Sequence, residues 1–179
     1  ISYLKLLEQA PVKPIKDYLF RNNGDLTFED KTTDWGITIP GFSNGSAYAD
    51  FDNDGDLDLV INAINEPSFI LENTLNQQVK SNYIRFQLEG VKGNKIGISS
   101  EIEIAKGDQI KYSEIQKSRG YCSNSEEYAH FGLGDWDSID SVTIRWNTGE
   151  SQVIYSPKIN QTHVLRITAS DKSAEYAAR

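Results

Sequence analysis

Apolar and polar residues alternate with period two along much of this chain. Leu57, Leu59, Ile61 and Ala63 alternate with Asp58, Val60, Asn62 and Ile64, a β-rich stretch that predicts a strand. Ile84, Phe86 and Leu88 alternate with Arg85 and Gln87 in the same way. Ile102 and Ile104 share one face against Glu101 and Glu103, within a strand expected over 98–105. Further strands are expected over 109–116, 129–131, 141–146, 152–155 and 163–168. Their spacing, with Gly and Asn breaks, predicts a β-sandwich over residues 83–168. Upstream, residues 17–21 and 26–30 read as the arms of a hairpin turned by Asn22-Asn23-Gly24-Asp25, because Asn-Gly accepts the positive φ such turns need. The loop over 31–44 is expected to bury Trp35. One short helix is expected over 1–10, stopped by Pro11 and Pro14. Residues 74–82 read as a polar linker and 169–179 as a polar, Ala-rich tail that frays. The fold class is therefore all-β.

The most specific chemistry lies where the first long hairpin turns. Asp50, Asp52, Asp54, Asp56 and Asp58 fall within nine residues. Two unit charges about 4 Å apart repel by roughly 1 kcal/mol in water and about 4 kcal/mol at an effective dielectric of 20. A hard cation at the centre offsets that repulsion, and Ca²⁺ takes 6–8 oxygens, as carboxylates and carbonyls supply. Counting from Asp50, side-chain ligands stand at positions one, three, five and nine (Asp50, Asp52, Asp54, Asp58). Gly55 holds position six, and Asp56 holds seven, where the backbone carbonyl would serve. An EF-hand needs Glu at position twelve, but Ile61 stands there, and the flanks have strand periodicity. The expectation is a Ca²⁺-pinned β-hairpin with affinity on the order of 10⁻⁴–10⁻³ M. The competing reading is a solvated acidic turn, since Asp, Asn and Gly are all turn formers.

Net charge narrows the partners. At −8 over 179 residues, the chain is a poor match for nucleic acid, whose binding runs on phosphate neutralisation, or for an anionic membrane. No apolar run is long enough for a transmembrane helix. Cys122, the single cysteine, forms no intrachain disulfide and is expected as a packed, inert thiol. The start at Ile1 and the lack of Met suggest a processed or truncated piece of something longer.

Other clusters are weaker. Arg119, Tyr121 and His130 could together line a site for a sugar or an acidic group. The reading preferred for HFGLG is that Gly132 and Gly134 make a turn and His130 satisfies a buried hydrogen bond. Asp135, Asp137 and Asp140 lack a Gly for a metal loop and read as a solvated turn. Trp146 alternates with Val142 and Ile144 and belongs in the core, whereas Trp136, in a turn, is the better sugar-stacking candidate. No G-x-S-x-G, H-E-x-x-H, Walker A or G-x-G-x-x-G is present, so catalysis has little support, though a pair of carboxylates suffices for a glycosidase.

Two stretches carry a family likeness. DYLFRNNGDLTFEDKT followed by GFSNGSAYADFDNDGDLDLVINAIN resembles an FG-GAP/VCBS-type repeat, the calcium-loop blade unit of integrin-like propellers. Tyr18-Leu19-Phe20-Arg21-Asn22 is echoed 51 residues on by Phe69-Ile70-Leu71-Glu72-Asn73, a spacing that suits propeller blades. GNKIGISSEIEI, RGYCSNSEEYAHFGLG and DSVTIRWNTG are similar to the ASPIC/UnbV domain, with Ser99 where that pattern often has Gly and Asn147 where it has Pro. The resemblance implies a propeller-blade remnant over 15–73 after a lead-in over 1–14, then the sandwich. It implies a secreted or cell-surface protein, often of bacterial outer surfaces, without established enzymatic activity. On the repeat pattern, Asp50, Asp52, Asp54 and Asp58 match the side-chain ligands of Ca²⁺ and Asp56 the carbonyl ligand. The function expected is a non-catalytic, calcium-stabilised surface module that binds or presents a protein or glycan partner. The alternatives are a carbohydrate-active accessory or hydrolase domain, with sugar contacts near Arg119, Tyr121 and Trp136, and a structural cap of a larger propeller. The oligomeric state is not legible in the sequence.

Overall fold

The computed structural model describes residues 13–167 together with Ser2, Tyr3 and Lys5. Of the helix expected over 1–10, Tyr3 and Lys5 are helical and most of the rest lies outside the described residues, as does the frayed tail. Within residues 13–167, fourteen strands and one helical turn run in order. They are β1 (Ile15–Lys16), β2 (Phe20–Asn22), β3 (Phe28–Asp30), β4 (Pro40–Gly41), β5 (Ser43–Ala49), β6 (Asp58–Ala63), β7 (Phe69–Leu71), α1 (Leu75–Gln78), β8 (Asn82–Glu89), β9 (Glu101–Lys106), β10 (Gln109–Glu114), β11 (Tyr128–Gly134), β12 (Ser141–Arg145), β13 (Ser151–Tyr155) and β14 (Thr162–Arg166). The class is all-β, as the periodicity implied. β5 and β6, the arms on either side of the aspartate loop, are neighbours in a sheet that continues to β7.

The chain forms two compact units, Ile1–Gly45 with Ile61–Phe69, and Ser46–Val60 with Ile70–Arg179. In the first, β2 and β3 pair antiparallel, Phe20 opposite Asp30 and Asn22 opposite Phe28. Their turn is closed by side chains: Asn22 Oδ1 accepts from the Gly24 N–H at 2.8 Å, and Asp25 Oδ1 from the Thr27 N–H at 3.0 Å. Thr32 anchors the end of the hairpin. Its Oγ1 accepts from the Leu19 N–H at 2.9 Å, and its own N–H donates to Asp30 Oδ1 at 2.9 Å. Trp35 is not buried as expected but 52% exposed. The turn that joins the Trp35 N–H to the Lys31 carbonyl at 2.8 Å leaves Ile37 as the inward residue of this segment.

The second unit holds the sandwich. One sheet has the order β10-β9-β12-β13 and is antiparallel throughout; the other has β11-β8-β14, with β14 parallel to β8. Alternation supplies the core from both sheets. Ile84, Phe86 and Leu88 of β8, Ala129, Phe131 and Leu133 of β11 and Leu165 of β14 meet Ile102 and Ile104 of β9 and Val142 and Ile144 of β12. Ile115, Trp136, Ile139 and Trp146 complete the cluster. Each large apolar side chain buried here contributes about 1.5–3 kcal/mol, which makes this cluster the main source of stability in the unit. Two departures from the family pattern have local reasons. Ser99 adopts the φ of +63° that a Gly would take more easily, and the Asn147 N–H donates to Ser100 Oγ at 3.1 Å, a bond that Pro could not make.

Trp146 is in the core as expected, but Trp136 is there too, only 7% exposed. Its indole Nε1 donates to Gln109 Oε1 at 2.9 Å, so the polar atom is satisfied inside the fold and no face is left for a sugar ring. Cys122 is exposed rather than packed; it sits at φ +47° in the loop between β10 and β11, where the Ser118–Asn124 bridge is the local pairing. Gly132 and Gly134 do not make a turn. They flank a β-bulge in the β11–β8 ladder.

Candidate metal centre

The aspartate loop belongs to the same unit as the sandwich, and its own backbone folds it. Asp50 Oδ1 accepts from the Asp54 N–H at 3.1 Å, and Asp50 Oδ2 from the Gly55 N–H at 3.1 Å. Asp52 Oδ1 also receives the Asp54 N–H, at 3.2 Å, and Asp54 Oδ1 receives the Asp56 N–H at 3.0 Å. These bonds wrap the chain around its first carboxylate. They require left-handed backbone at Asn53 (φ +62°) and Gly55 (φ +96°), which Asn and Gly adopt more readily than other residues.

The wrapping brings three side chains together. One carboxylate oxygen from each of Asp50, Asp52 and Asp54 lies within 4.8 Å of the others. Ligands of one Ca²⁺ at about 2.3–2.6 Å cannot be farther apart than about 5 Å, so this convergence fits a single ion. The donor set is all oxygen, the preference of a hard cation. A further oxygen is unpaired: Asp56 Oδ1 is buried without a hydrogen-bond partner. Burial holds the Asp56 carboxyl above its ordinary pKa, and the neighbouring Asp54, Asp58 and Asp52 add to the effect. The three converging residues therefore fit a divalent cation.

Asp56 and Asp58 are engaged differently. Asp58 Oδ2 accepts from the Phe51 N–H at 2.9 Å and its Oδ1 from the Asn73 N–H at 2.8 Å. One carboxylate thus ties the start of the loop to the segment before α1. Asp56 Oδ2 accepts from the Asn76 N–H at 3.2 Å, and Asn76 Nδ2 donates to the Asp54 carbonyl at 2.9 Å. Asn73 Nδ2 donates to the Leu57 carbonyl at 3.3 Å. Asn73 and the helical turn Leu75–Gln78, which lies in the segment expected as a linker, thus brace the loop from outside.

Beneath the loop lies the outer face of β8, where period two places Tyr83, Arg85 and Gln87. Arg85 Nη1 donates to Asp50 Oδ2 at 2.9 Å, with the Asp50 side chain fully buried. Glu126 stands close to both. Its Oε1 is buried without a partner, and burial raises its carboxyl pKa, offset in part by Arg85 and by the Asp50 N–H. Sequence reasoning missed Arg85, Glu126, Asn73 and Asn76. The signal for Arg85 is a cation flanked by Ile84 and Phe86, which puts it on the face away from the core.

The weaker cluster does not assemble. His130 is on the outer face of β11, its ring stacked on Tyr83 with centroids 5.8 Å apart. Its Nδ1 is buried without a partner, so the expected buried hydrogen bond is not made there. Burial, and then the Arg85 charge, push its pKa down to about 4. Trp136, beyond the end of β11, is packed in the core cluster and not on the outer face that carries His130. Arg119 donates locally to the Glu114 carbonyl at 3.1 Å, and Tyr121 is exposed. Asp137 pairs with Lys106 at 2.7 Å and Asp140 Oδ2 accepts from the Gly107 N–H at 2.8 Å; both are turn contacts.

Comparison with known proteins finds two family matches along the chain. Residues 15–61 match the FG-GAP-like repeat, and residues 90–173 match the family described as ASPIC and UnbV. Cartilage acidic protein 1 of Mus musculus is 27% identical over 145 residues, which cover 78% of this chain and 22% of that protein. The Homo sapiens protein of the same name is 27% identical over 133 residues, 73% of this chain and 20% of that protein. The matched region is thus about a fifth of each relative's length. No helix among the described residues is long and apolar enough to cross a membrane, which leaves β-barrels untouched. In order along the chain, a match to the FG-GAP-like repeat is therefore followed by a match to the ASPIC and UnbV family.

Proposed function

We propose that this chain is a non-catalytic, calcium-stabilised module of an extracellular or cell-surface protein, and that it binds or presents a protein partner. The observation that carries the calcium part is the convergence of Asp50, Asp52 and Asp54 around the N–H groups of Asp54 and Gly55. Bound there, Ca²⁺ would neutralise the loop's mutual repulsion. The residues around it do the rest. Asp58 clamps the loop entrance, Asn73 and Asn76 brace its outer side, and Arg85 ties it to the sandwich. The extracellular part is supported by the FG-GAP-like repeat and by the likeness to a protein named for cartilage. With Trp136 inside the core, a sugar-stacking platform loses its main residue, and a protein partner is the better reading.

The test is a calorimetric titration of the EDTA-stripped chain with CaCl₂. One ion per chain is expected, with a Kd on the order of 10⁻⁴–10⁻³ M. The paired substitution Asp52→Asn with Asp54→Asn should abolish the heat. No binding at about 10 times that concentration range would sink the calcium reading.

A further inference from the structure

Arg85 sits at the middle of β8 between two core residues, yet its side chain leaves the sheet on the opposite face. There it is only 8% exposed. Its three nitrogens go to three different places. Nη1 donates to Asp50 Oδ2 at 2.9 Å, Nη2 to Asn53 Oδ1 at 3.3 Å, and Nε to Thr162 Oγ1 at 3.1 Å. The guanidinium also lies over the rings of Tyr83 and Tyr128, 5.8 and 5.6 Å from their centroids. A planar fork held this way has little freedom to swing aside. Asp50, for its part, is position one of the aspartate loop and has a fully buried side chain. A buried carboxylate without a cation is strongly unfavourable, and Arg85 is the cation that the fold itself supplies.

We propose that Arg85 is a resident counter-cation of the aspartate loop: it holds the loop closed when no metal is present and lowers the affinity for the divalent ion that shares Asp50. The idea rests on the calcium reading above and adds the regulation of that site by the sandwich. One side chain then has two effects of opposite sign. Without metal, the guanidinium offsets the repulsion among the aspartates, so the loop keeps its shape. With metal, a divalent ion and a guanidinium share one carboxylate, and their mutual repulsion weakens binding. Because Arg85 is also bonded to Thr162 of β14, the setting of the affinity belongs to the β11-β8-β14 sheet as much as to the loop.

The experiment uses the full chain and three variants, Arg85→Met, Arg85→Gln and Arg85→Lys. Each is measured for EDTA-stripped Tm and for CaCl₂ affinity by calorimetry. Arg85→Met is expected to lower the metal-free Tm and to bind Ca²⁺ at least about tenfold tighter than the native chain, a change of about 1.4 kcal/mol. Arg85→Gln, which keeps hydrogen bonding without charge, carries the same test if the Met variant does not fold. Arg85→Lys keeps the charge and should stay within about threefold of native affinity. Native binding with unchanged or weaker affinity in both neutral variants overturns the proposal while the calcium reading stands. Binding by the neutral variants alone supports the proposal and ends the calcium reading for the native chain. If none of the chains takes up Ca²⁺, both fall.

Discussion

The ring of Tyr83 occupies the space where a side chain at Gly55 would begin. A Cβ on Gly55 would overlap Cδ1 and Cε1 of that ring, at a backbone φ of +96°. Strand β8 therefore reads the identity of loop position six directly. Gly55→Ala should cost about 1–3 kcal/mol for the backbone conformation and a similar amount for overpacking. Chemical denaturation should show that loss even in EDTA, which separates it from any effect of metal. Adding Tyr83→Ala should recover part of it, because the obstructing ring is gone.

Asp58 is expected to matter without metal. Its two oxygens take the N–H groups of Phe51 and Asn73, and truncation leaves both donors without an acceptor. Asp58→Ala should destabilise the EDTA-stripped chain by about 2–6 kcal/mol, at about 1–3 kcal/mol for each of the two unsatisfied groups. Asp58→Asn retains one acceptor oxygen and should lose about half as much. Equal urea midpoints for Asp58→Ala and the native chain would contradict this account.

Metal removal should be visible as a thermal shift. At Ca²⁺ of about 100 times Kd, binding to the folded state alone contributes about 2.7 kcal/mol. For a chain of this size that is a Tm increase of roughly 5–11 °C over the EDTA value. Asp52→Asn with Asp54→Asn should flatten the response to added CaCl₂.

His130 gives stability a defined pH dependence. Its folded pKa is pushed down to about 4 from an ordinary 6.5, by burial first and then by Arg85. The unfolded chain binds more protons in that interval, so stability is full above about 6.5 and falls as pH drops toward 4. The full shift would be about 3 kcal/mol, but the ring is only partly buried and screening reduces the expected loss to about 1–2 kcal/mol. Asp56 and Glu126, whose pKa values are raised by burial, act in the opposite direction, because protonation favours their folded forms. The His130 contribution is therefore the difference between native and His130→Phe across a pH range of about 4–7. Parallel curves for the two would remove it.

Trp136 distinguishes a core role from a sugar-binding one. Trp136→Ala should destabilise by about 3–5 kcal/mol through loss of packing, and Gln109 loses its indole donor. A glycan array probed with a folded, milder variant such as Trp136→Phe should match the native pattern. Selective loss of glycan signal in that variant would restore the sugar-stacking reading.

The strands of the sandwich are legible because each makes its periodicity locally. Val142 and Ile144 alternate with Thr143 and Arg145 whatever they pack against, and β12 forms within one residue of its expected limits. The loop is legible for a similar reason: its spacing of Asp and Gly is a local requirement of wrapping backbone around one carboxylate. Trp35 and Trp136 are misplaced by sequence reasoning because a turn residue has no periodicity to assign its face. Trp136 becomes core only because the two sheets close over the end of β11.

What the sequence determined by itself is the set of groups that share a face and the loop that can gather oxygens. It put Arg85 opposite Ile84 and Phe86, and it put Gly55 where the chain must turn. Tertiary structure alone decided that these two faces meet. The pairing of Arg85 with Asp50 spans 35 residues, and the Asp58 bond to the Asn73 N–H spans 15. Neither separation corresponds to a helical or strand period, so no local pattern encodes it. The Arg85 bond exists because burial of the β8 core face fixes its outer face in space, and the loop's buried charge then takes the cation presented there.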